Sequence, residues 1–482
     1  MQRVAIQRVL GILLMIISIS MLPPVAVSAW YADGVMMPFI LAFFMTLAFG
    51  LLMWFPVRHF RKEMRLRDGF IIVAMYWLVL GLSGSLPLIL SESPHLTITD
   101  AVFESISGLT TTGATVISGL DVLPKSILYY RQQSQWLGGM GIIVLAVAIL
   151  PMLGIGGMQL YRAETPGPIK DNKITPRIAE TAKALWYIYL GLTIACALAY
   201  WFAGMSVFDA IGHSFSTVAI GGFSTHDLSI GYFQSPVIEM VAVVFMLLAG
   251  VNFSLHFLAW RNVTVKYYFA DAEFVAYLKV LGFVALITCM YLYITGTFNG
   301  WDSIHNGIFQ AVSIGTTTGF TTAEYHTWPG FLPALLLLAS FIGGCAGSTG
   351  GGMKVIRVLL LFKQGMREVL RLIHPSAQVP IKIGGKVLED RVIDAVWGFF
   401  SLYVGSFIVM ALLLAASGLD LVTSFSAVAA CMNNLGPGLG DVGSYYGDIN
   451  DAAKWVLCFA MILGRLEIFT VLVLLTPAFW RK

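Results

Sequence analysis

The sequence predicts an all-α polytopic membrane protein. Its 482 residues are 58% hydrophobic and only 11% charged, with a mean hydropathy of +0.81, whereas a soluble domain is about 25% charged. The apolar runs are about twenty residues long, which suits a spanning helix better than the alternating ten-residue segments of a membrane barrel. The composition therefore excludes a set of soluble domains.

Ten long apolar segments are the predicted spans. They cover residues 9–29, 36–56, 70–91, 136–160, 184–204, 236–260, 275–297, 331–362, 395–417 and 454–479. The first segment follows Arg3 and Arg8 and ends near Ala26-Val27-Ser28-Ala29, a pattern that also fits a cleaved signal peptide. Either interpretation leaves the later topology unchanged.

Basic residues fall in alternate connections between these spans, which predicts that those connections, and both chain termini, are cytoplasmic. The connections contain Arg58, Arg61, Lys62, Arg65 and Arg67; Arg162, Lys170, Lys173, Arg177 and Lys183; Arg261, Lys266 and Lys279; Lys363, Arg367, Arg371, Lys382, Lys386 and Arg391; and the tail residues Arg481 and Lys482. The opposite connections have Lys125 and Arg131 among mostly acidic residues. An acidic outer face would concentrate cations there.

Four short Gly/Thr/Ser-rich stretches lie between pairs of spans. They read DAVFESISGLTTTGAT from Asp100, DAIGHSFSTVAIGGFS from Asp209, NGIFQAVSIGTTTGFT from Asn306 and TSFSAVAACMNNLGPG from Thr423. Each has a glycine thirteen residues after its first residue, and the alignment needs no gaps. Because Asp, Asn and Thr are common helix N-caps, each stretch predicts a helix capped by its first residue, followed by a glycine-containing extended segment.

Such helices are too short to cross a bilayer of about 30 Å, so each would enter from the outer side and return as irregular backbone. Irregular backbone at that depth survives only inside protein or along a watery cavity. Four segments meeting on one axis would present rings of carbonyl oxygens to a dehydrated cation. The repetition therefore predicts a pore with four-fold pseudosymmetry, although any one stretch alone would be an ordinary loop.

The eighth span is interrupted by a Gly-rich loop, residues 343–352, with six glycines in ten residues: Gly343, Gly344, Gly347, Gly350, Gly351 and Gly352. Each glycine disfavours helix by roughly 1 kcal/mol relative to alanine. We interpret the loop as a flexible gate below the pore; the alternative is close helix packing through small residues. Lys354 follows as a gate charge or as a lysine that extends to the interface.

Arg465 lies midway along the last span, where an arginine costs on the order of 2.5–3.5 kcal/mol and so must face protein or water. We interpret it as an electrostatic barrier that contacts the Gly-rich loop. The alternative is a structural ion pair with another span. Glu467 lies two residues further on, on a different helix face, which argues against a direct pair between the two.

The residues contain no sign of an enzyme. The sequence has no G-x-S-x-G, H-E-x-x-H or phosphate-binding glycine motif and no paired intramembrane carboxylates. Its five cysteines show no metal-binding spacing and are interpreted as packing residues. Nucleic-acid binding has no support, and we expect the chain itself to bind no nucleotide.

The four stretches, together with Gln135-Trp136-Leu137-Gly138-Gly139-Met140-Gly141, residues 343–354 and Gly464-Arg465-Leu466-Glu467, resemble the TrkH family within the Trk/Ktr/HKT superfamily. The resemblance covers essentially the whole chain. It implies membrane subunits of bacterial potassium uptake systems, located in the cytoplasmic (inner) membrane as homodimers with one pore per subunit. It also implies K⁺ as the transported ion and a TrkA-type cytoplasmic partner that binds nucleotides and gates the pore.

The same resemblance implies which residues coordinate potassium. They are Thr111, Thr112 and Gly113; Ile220, Gly221 and Gly222; Thr317, Thr318 and Gly319; and Asn434, Leu435 and Gly436. The next position holds Ala114, Phe223, Phe320 or Pro437, unlike the T-V-G-Y-G of tetrameric potassium channels. Fewer carbonyl rings could admit rubidium, caesium or some sodium.

The implied organisation is an N-terminal helix pair (1–68) followed by pore repeats at 69–162, 163–262, 263–372 and 373–482. The main alternative is a secondary transporter that couples a small solute to protons or sodium. Such proteins usually have inverted or two-fold repeats with ionisable residues near the midplane, whereas these four repeats are parallel and nearly uncharged. Passive flux and symport both remain open for the potassium pathway.

Overall fold

The computed structural model describes residues 3–59, 66–144 and 178–481. The predicted basic residues at 61, 62 and 65 and at 162–177, and the second half of the fourth predicted span, lie outside these ranges. Helices dominate the described chain. In order they are α1 (Arg3–Ile19), α2 (Leu22–Tyr31), α3 (Met36–Trp54), α4 (Leu66–Gly84), α5 (Leu86–Leu90), α6 (Ile98–Leu109), α7 (Lys125–Val144), α8 (Ile178–Phe202), α9 (Val207–Ala219), α10 (Pro236–Ala249), α11 (Phe253–Arg261), α12 (Lys266–Ala270), α13 (Ala272–Ile294), α14 (Gly300–Gly315), α15 (Leu332–Ile342), α16 (Val355–Ile373), α17 (Asp390–Ala416), α18 (Leu421–Met432), α19 (Asp451–Arg465), α20 (Phe469–Leu475) and α21 (Pro477–Trp480).

Within these ranges, six helical segments are by themselves long and apolar enough to cross a membrane, and two bent helix pairs bring the total to eight. The six correspond to the first, second, third, fifth, seventh and ninth predicted spans. The bent pairs are α10 with α11, at 93°, and α19 with α20, at 118°. The eighth predicted span is divided by the Gly-rich loop into α15 and α16.

The N-terminal helices pack through small residues, as expected where two helices cross closely in a membrane. A Cβ atom built on Gly11 of α1 would lie 2.9 Å from the carbonyl oxygen of Gly50 in α3. A Cβ on Gly50 would in turn lie 3.0 Å from the carbonyl oxygen of Gly11. These reciprocal contacts leave no space for a larger side chain, so the two glycines set the distance between the helices.

After this pair, a helix, a short helix that precedes one of the Gly-containing segments, and a further helix follow one another four times. The short helices are α6, α9, α14 and α18, with 12, 13, 16 and 12 residues. At 1.5 Å per residue they extend about 18–24 Å, less than the thickness of a bilayer core. The predicted sequence of elements is therefore present in each unit.

In three of the four units the predicted N-cap is wrong by three residues. The caps of α6, α9 and α18 are Thr97, Ser206 and Asp420, whose side chains accept hydrogen bonds from the backbone N–H groups of Asp100 (3.2 Å), Asp209 (3.1 Å) and Thr423 (3.1 Å). The aligned first residues therefore occupy the third helical position, because each helix begins one turn earlier. In the third unit α14 already begins at Gly300, so Asn306 lies inside the helix.

The sixth and tenth spans are broken, which corrects the prediction of continuous helices. Between α10 and α11, Asn252 starts a new helix by accepting a hydrogen bond from the Ser254 N–H at 2.8 Å. Between α19 and α20, Glu467 and Ile468 have φ angles of +52° and +33°. The first break contains Gly250 and Asn252 and the second lies between Arg465 and Ile468, although each run as a whole is apolar enough to be predicted as one span.

One small element departs from the all-α prediction. Strands β1 (Lys382–Ile383) and β2 (Lys386–Val387) form an antiparallel hairpin before α17. The turn is Gly384-Gly385, with φ angles of +55° and +80°. Two consecutive residues of positive φ match the twist of a two-residue hairpin, which is why glycine is preferred there.

Candidate functional site

The residues two positions before the shared glycines have the same backbone conformation in all four units. We call residues 111–113, 220–222, 317–319 and 434–436 strips 1 to 4. Their first residues all have positive φ: Thr111 (+53°), Ile220 (+54°), Thr317 (+69°) and Asn434 (+53°). Positive φ is uncommon for a threonine or isoleucine, so its recurrence at one register shows a conformation imposed by the fold.

The third residue of strips 1 to 3 also has positive φ. The values are +81° at Gly113, +80° at Gly222 and +85° at Gly319. Left-handed residues thus flank a middle residue that is not left-handed. Alternating handedness places successive peptide N–H groups on one side of the chain and the C=O groups on the other. Each of these strips therefore offers a row of oxygens, which suits a cation.

Strips 1, 2 and 3 touch each other in order. A Cβ atom built on Gly113 would lie 2.1 Å from the carbonyl oxygen of Gly221. A Cβ on Gly222 would lie 2.1 Å from the carbonyl oxygen of Thr318. Neither distance is possible for a real side chain, so glycine at these positions allows neighbouring backbones to meet.

Strip 4 closes the ring. A Cβ atom on Gly319 would lie 3.1 Å from the backbone nitrogen of Gly436, and one on Gly436 would lie 2.6 Å from the carbonyl oxygen of Gly113. The four strips, separated by about a hundred residues each, therefore surround a common centre. Gly113, Gly222 and Gly319 are partly exposed while both neighbours of each are buried, so these glycines face an opening.

Strip 4 differs from the others at its glycine. Gly436 lacks the positive φ of the other three shared glycines. It precedes Pro437, whose ring restricts the preceding residue to extended conformations. Tyr446 donates a hydrogen bond to the carbonyl oxygen of Gly436 at 2.9 Å, and Tyr325 donates to that of Pro437 at 3.0 Å. Two tyrosines thus hold the backbone at this point of strip 4.

Side chains behind the ring hold strips 2 and 4. Gln135, from α7 of the first unit, donates to the carbonyl oxygen of Gly221 at 2.6 Å and accepts from the N–H of Phe223 at 3.1 Å. Asn434 donates from Nδ2 to the Thr112 hydroxyl at 3.1 Å. These contacts link consecutive units, and Gln135 belongs to the glycine-rich motif that follows the first stretch.

The Gly-rich loop lies against the inner ends of the strips. The Gly351 N–H donates to the Thr317 hydroxyl at 2.7 Å, and the Gly352 N–H donates to the carbonyl oxygen of Asn433 at 3.0 Å. Thr349 donates from its hydroxyl to the carbonyl oxygen of Val218 at 2.9 Å. The loop therefore contacts residues at or just before the strips of units two, three and four.

Two glycines in this loop are required by close contacts. A Cβ atom on Gly351 would lie 1.9 Å from the carbonyl oxygen of Asn433, and one on Gly343 would lie 2.1 Å from that of Gly351. The loop also uses the break in the sixth span, since the Cys345 N–H donates to the carbonyl oxygen of Gly250 at 2.9 Å. The segment is thus irregular backbone, and it is not the continuous packed helix of the alternative interpretation.

Lys354 and Arg465 both contact the loop. Lys354 is buried, and its Nζ donates to the carbonyl oxygen of Gly350, so it does not extend to the interface. Arg465 is 3% exposed and donates from Nη1 to the carbonyl oxygen of Thr349 (3.2 Å) and from Nη2 to that of Gly138 (3.3 Å). No carboxylate in the described part of the chain lies within 4 Å of Arg465; Glu467 instead pairs with Arg357 at 2.7 Å.

Sequence reasoning missed a buried ion pair behind the ring. Arg131 was assigned to the outer connections, yet it is 2% exposed and its Nε lies 2.7 Å from Oε1 of Glu104 in α6. Its Nη1 donates to the carbonyl oxygen of Ser224, just beyond strip 2, at 3.2 Å. The Thr115 hydroxyl donates to the same carboxylate at 3.0 Å. Glu104 in the first stretch is the signal, because a carboxylate in the middle of a short apolar helix needs a partner.

His226 connects the first two units. Its Nδ1 bonds to Asp121, its Nε2 lies 3.5 Å from Oδ1 of Asp209, and its ring stacks on Tyr232 with centroids 3.5 Å apart. Burial alone would lower the pKa of His226, but the two carboxylates raise it above its ordinary value of 6.5. When His226 is protonated, its ring therefore bridges an acid of the first unit and an acid of the second.

This bridge predicts pH-dependent stability. A raised pKa in the folded state stabilises the protein fully below pH 6.5, and the stabilisation is lost as the pH rises through the folded pKa. We expect the melting temperature in detergent to fall by a few degrees above pH 6.5. In His226→Gln, the melting temperature should fall less as the pH rises above 6.5. An unchanged slope in that variant would contradict the bridge.

Comparison with known proteins agrees with this architecture. The family model described as "TrkH: Cation transport protein" matches residues 36–482. The chain is 59% identical over 477 residues to the Trk system potassium uptake protein TrkH of Halomonas elongata, covering 99% of both chains. It is 56% identical over 479 residues to the protein of that name from Escherichia coli K12, also covering 99% of both.

A solved structure is equally similar. The crystal structure of the potassium transporter TrkH from Vibrio parahaemolyticus superimposes with a TM-score of 0.93 at 57% identity, and the match covers 100% of both chains. These relatives are named as transport proteins and not as enzymes. The match extends across all four units, the strips and the Gly-rich loop. The chain therefore belongs to the TrkH family of cation transport proteins.

Proposed function

We propose that this chain takes up potassium across the bacterial cytoplasmic membrane through the ring of strips 1 to 4. The observation that carries the proposal is the closed ring of backbone contacts, from Gly113 through strips 2 and 3 to Gly436 and back. Peptide oxygens in such a ring can replace the water shell of an alkali cation. The helices α6, α9, α14 and α18 precede the strips and would direct their negative C-terminal ends toward the ion.

Potassium is the proposed substrate because the similar relatives are named potassium uptake proteins. The proposed ligands are the backbone oxygens of the three residues in each strip. Gly221 and Gly436 are held by Gln135 and Tyr446, which would fix their orientation while the ion passes. Selectivity would then depend on the rigidity of these supports as well as on ring size.

The Gly-rich loop is the proposed gate, and Arg465 the proposed barrier. The loop lies directly against one end of the strips, where its backbone N–H groups donate to the Thr317 hydroxyl and the carbonyl oxygen of Asn433. A guanidinium without a carboxylate partner in the described residues would repel a cation leaving the ring. Movement of the loop would remove both the obstruction and the contact between Arg465 and Thr349.

The resemblance supports two proposals on assembly. We propose a homodimer with one pore per subunit, and a TrkA-type cytoplasmic subunit that binds nucleotides and controls the loop. In this orientation both termini and the connection from residue 262 to residue 271 lie in the cytoplasm, where such a partner could reach them.

We expect the chain to restore growth of a bacterium lacking potassium uptake when potassium is limiting. Growth should be measured across a range of external potassium, with and without the nucleotide-binding partner, and uptake of ⁸⁶Rb⁺ should follow. Sensitivity of that uptake to a protonophore at fixed membrane potential would separate symport from passive flux. Failure under every condition, with transport of an organic solute instead, would favour the coupled-transporter alternative.

A further inference from the structure

A buried carboxylate outside the ring holds the Gly-rich loop in place. Glu273 lies in the first turn of α13 and is 2% exposed. No Lys, Arg or His nitrogen in the described ranges lies within 4 Å of its carboxylate. Burial of an ionised carboxylate is costly unless strong hydrogen bonds replace its water. The hydrogen-bond donors that contact the Glu273 carboxylate therefore stabilise its buried position.

Its partners are two backbone N–H groups. Oε1 of Glu273 accepts from Ala346 at 2.7 Å and from Ile356 at 3.2 Å. Ala346 lies within the Gly-rich loop, and Ile356 lies in the first turn of α16, directly after it. The carboxylate thus joins two points that flank most of the loop.

The contact between Glu273 and the Ile356 N–H also provides an acceptor for the N-terminal end of α16. Lys354 precedes α16 with φ +77°, and its side chain provides no cap. The first N–H groups of a helix have no partner within the helix and attract negative charge. Glu273 supplies the acceptor from another helix, so the start of α16 depends on the position of α13.

The base of α13 is in turn connected to the cytoplasmic side. Asp271 caps the helix by accepting from the Phe274 N–H at 2.8 Å. The preceding helix α12 places the Tyr268 hydroxyl 2.7 Å from Nδ1 of His256 in α11. A displacement of this connection would carry the first turn of α13, and with it the carboxylate, away from the loop.

We propose that Glu273 is the positioning residue that keeps the Gly-rich loop closed, and that withdrawing its carboxylate releases the loop. The inference rests on the proposed role of that loop as the gate. Glu273 contacts no strip and has no part in ion coordination. Its removal should therefore change the closed population and leave ion selectivity intact.

The test uses the full-length protein in liposomes, with ⁸⁶Rb⁺ flux measured in the absence of any partner. Glu273→Ala should raise basal flux about tenfold, since it removes the acceptor of two buried backbone N–H groups. Glu273→Gln keeps an acceptor oxygen and should give an intermediate flux. Glu239→Ala is the matched control: Glu239 is also buried in the first turn of a helix, but it bonds to His305 at 2.8 Å, away from the loop.

A second readout reports the loop itself. Cys345 lies in the loop and is 1% exposed. With Cys196, Cys289, Cys431 and Cys458 replaced by alanine, a membrane-impermeant thiol reagent applied to inside-out vesicles would label Cys345 alone. Labelling should be slow with Glu273 present and about tenfold faster in Glu273→Ala. A structural defect in the ring of strips would alter the preference for K⁺ over Na⁺. Faster labelling of Cys345 with an unchanged preference therefore indicates a movement of the loop alone.

Deletion of residues 350–352 in parallel separates the two hypotheses. If that deletion leaves flux unchanged, the loop is not the gate and the proposed function of the loop fails. If the deletion raises flux while Glu273→Ala leaves flux and labelling as in the wild type, the positioning role is wrong. Should Glu273→Ala not fold, wild-type flux and labelling in Glu273→Gln overturn the proposal equally.

Discussion

Replacing Arg465 with alanine is expected to raise basal potassium flux in liposomes. Its guanidinium is buried, donates only to backbone oxygens of Thr349 and Gly138 among the described residues, and has no carboxylate within 4 Å there. At an effective dielectric constant of about 20, two unit charges about 8 Å apart repel by roughly 2 kcal/mol. That corresponds to a change of about thirtyfold in ion occupancy.

Two controls make the measurement specific. Arg465→Lys keeps the charge and should retain most of the barrier, although lysine cannot reproduce both guanidinium contacts. Arg371→Ala removes a positive charge from an exposed position in α16 and should leave flux as in the wild type. Unchanged flux in Arg465→Ala would remove the barrier role and leave a purely structural one.

Replacing Gly113 with alanine is expected to abolish potassium uptake. The new Cβ would lie 2.1 Å from the carbonyl oxygen of Gly221, and φ at this residue is +81°. The left-handed conformation costs an alanine roughly 1–2 kcal/mol, but the steric overlap with strip 2 has the larger effect. Moving one strip by about 1 Å should lower uptake on the order of a hundredfold.

Gly34 provides the matched control. Its φ is +80°, nearly that of Gly113, but a Cβ atom there would meet nothing within 4 Å. Gly34→Ala therefore tests the conformational cost alone and should keep near-normal uptake. Surface expression of both variants should be measured by labelling. Normal uptake by a well-expressed Gly113→Ala would contradict a rigid ring at this position.

The repeated pattern was predictable because it is local in sequence. The spacing of thirteen residues to Gly113, Gly222, Gly319 and Gly436 identified positions that the structure brings into contact. Six glycines in ten residues likewise indicated a break in the eighth span. In both cases the close approach of two backbones requires a residue without a Cβ atom, so the glycines in the sequence mark the positions of these contacts.

What escaped prediction depends on distant partners. The pairing of Arg131 with Glu104 joins residues on separate helices, and hydropathy assigned the arginine to the surface. The bends at residues 250–252 and 466–468 lie within runs that are apolar overall, and they are stabilised by contacts with other segments such as Cys345 and Arg357. The helix starts were misplaced because glycine alignment fixes the strip and gives no information on where the first turn begins.

The proline after Gly436 makes the ring of strips asymmetric. Three strips repeat one backbone conformation, and the fourth differs and has its carbonyl oxygens bound by two tyrosine hydroxyls. An ion at this level would find equivalent oxygens on three sides only, so we expect it to keep a water molecule on the fourth. Partial dehydration lowers the energetic distinction between ions of different radius, and a cation that retains part of its hydration shell can also leave the site more quickly.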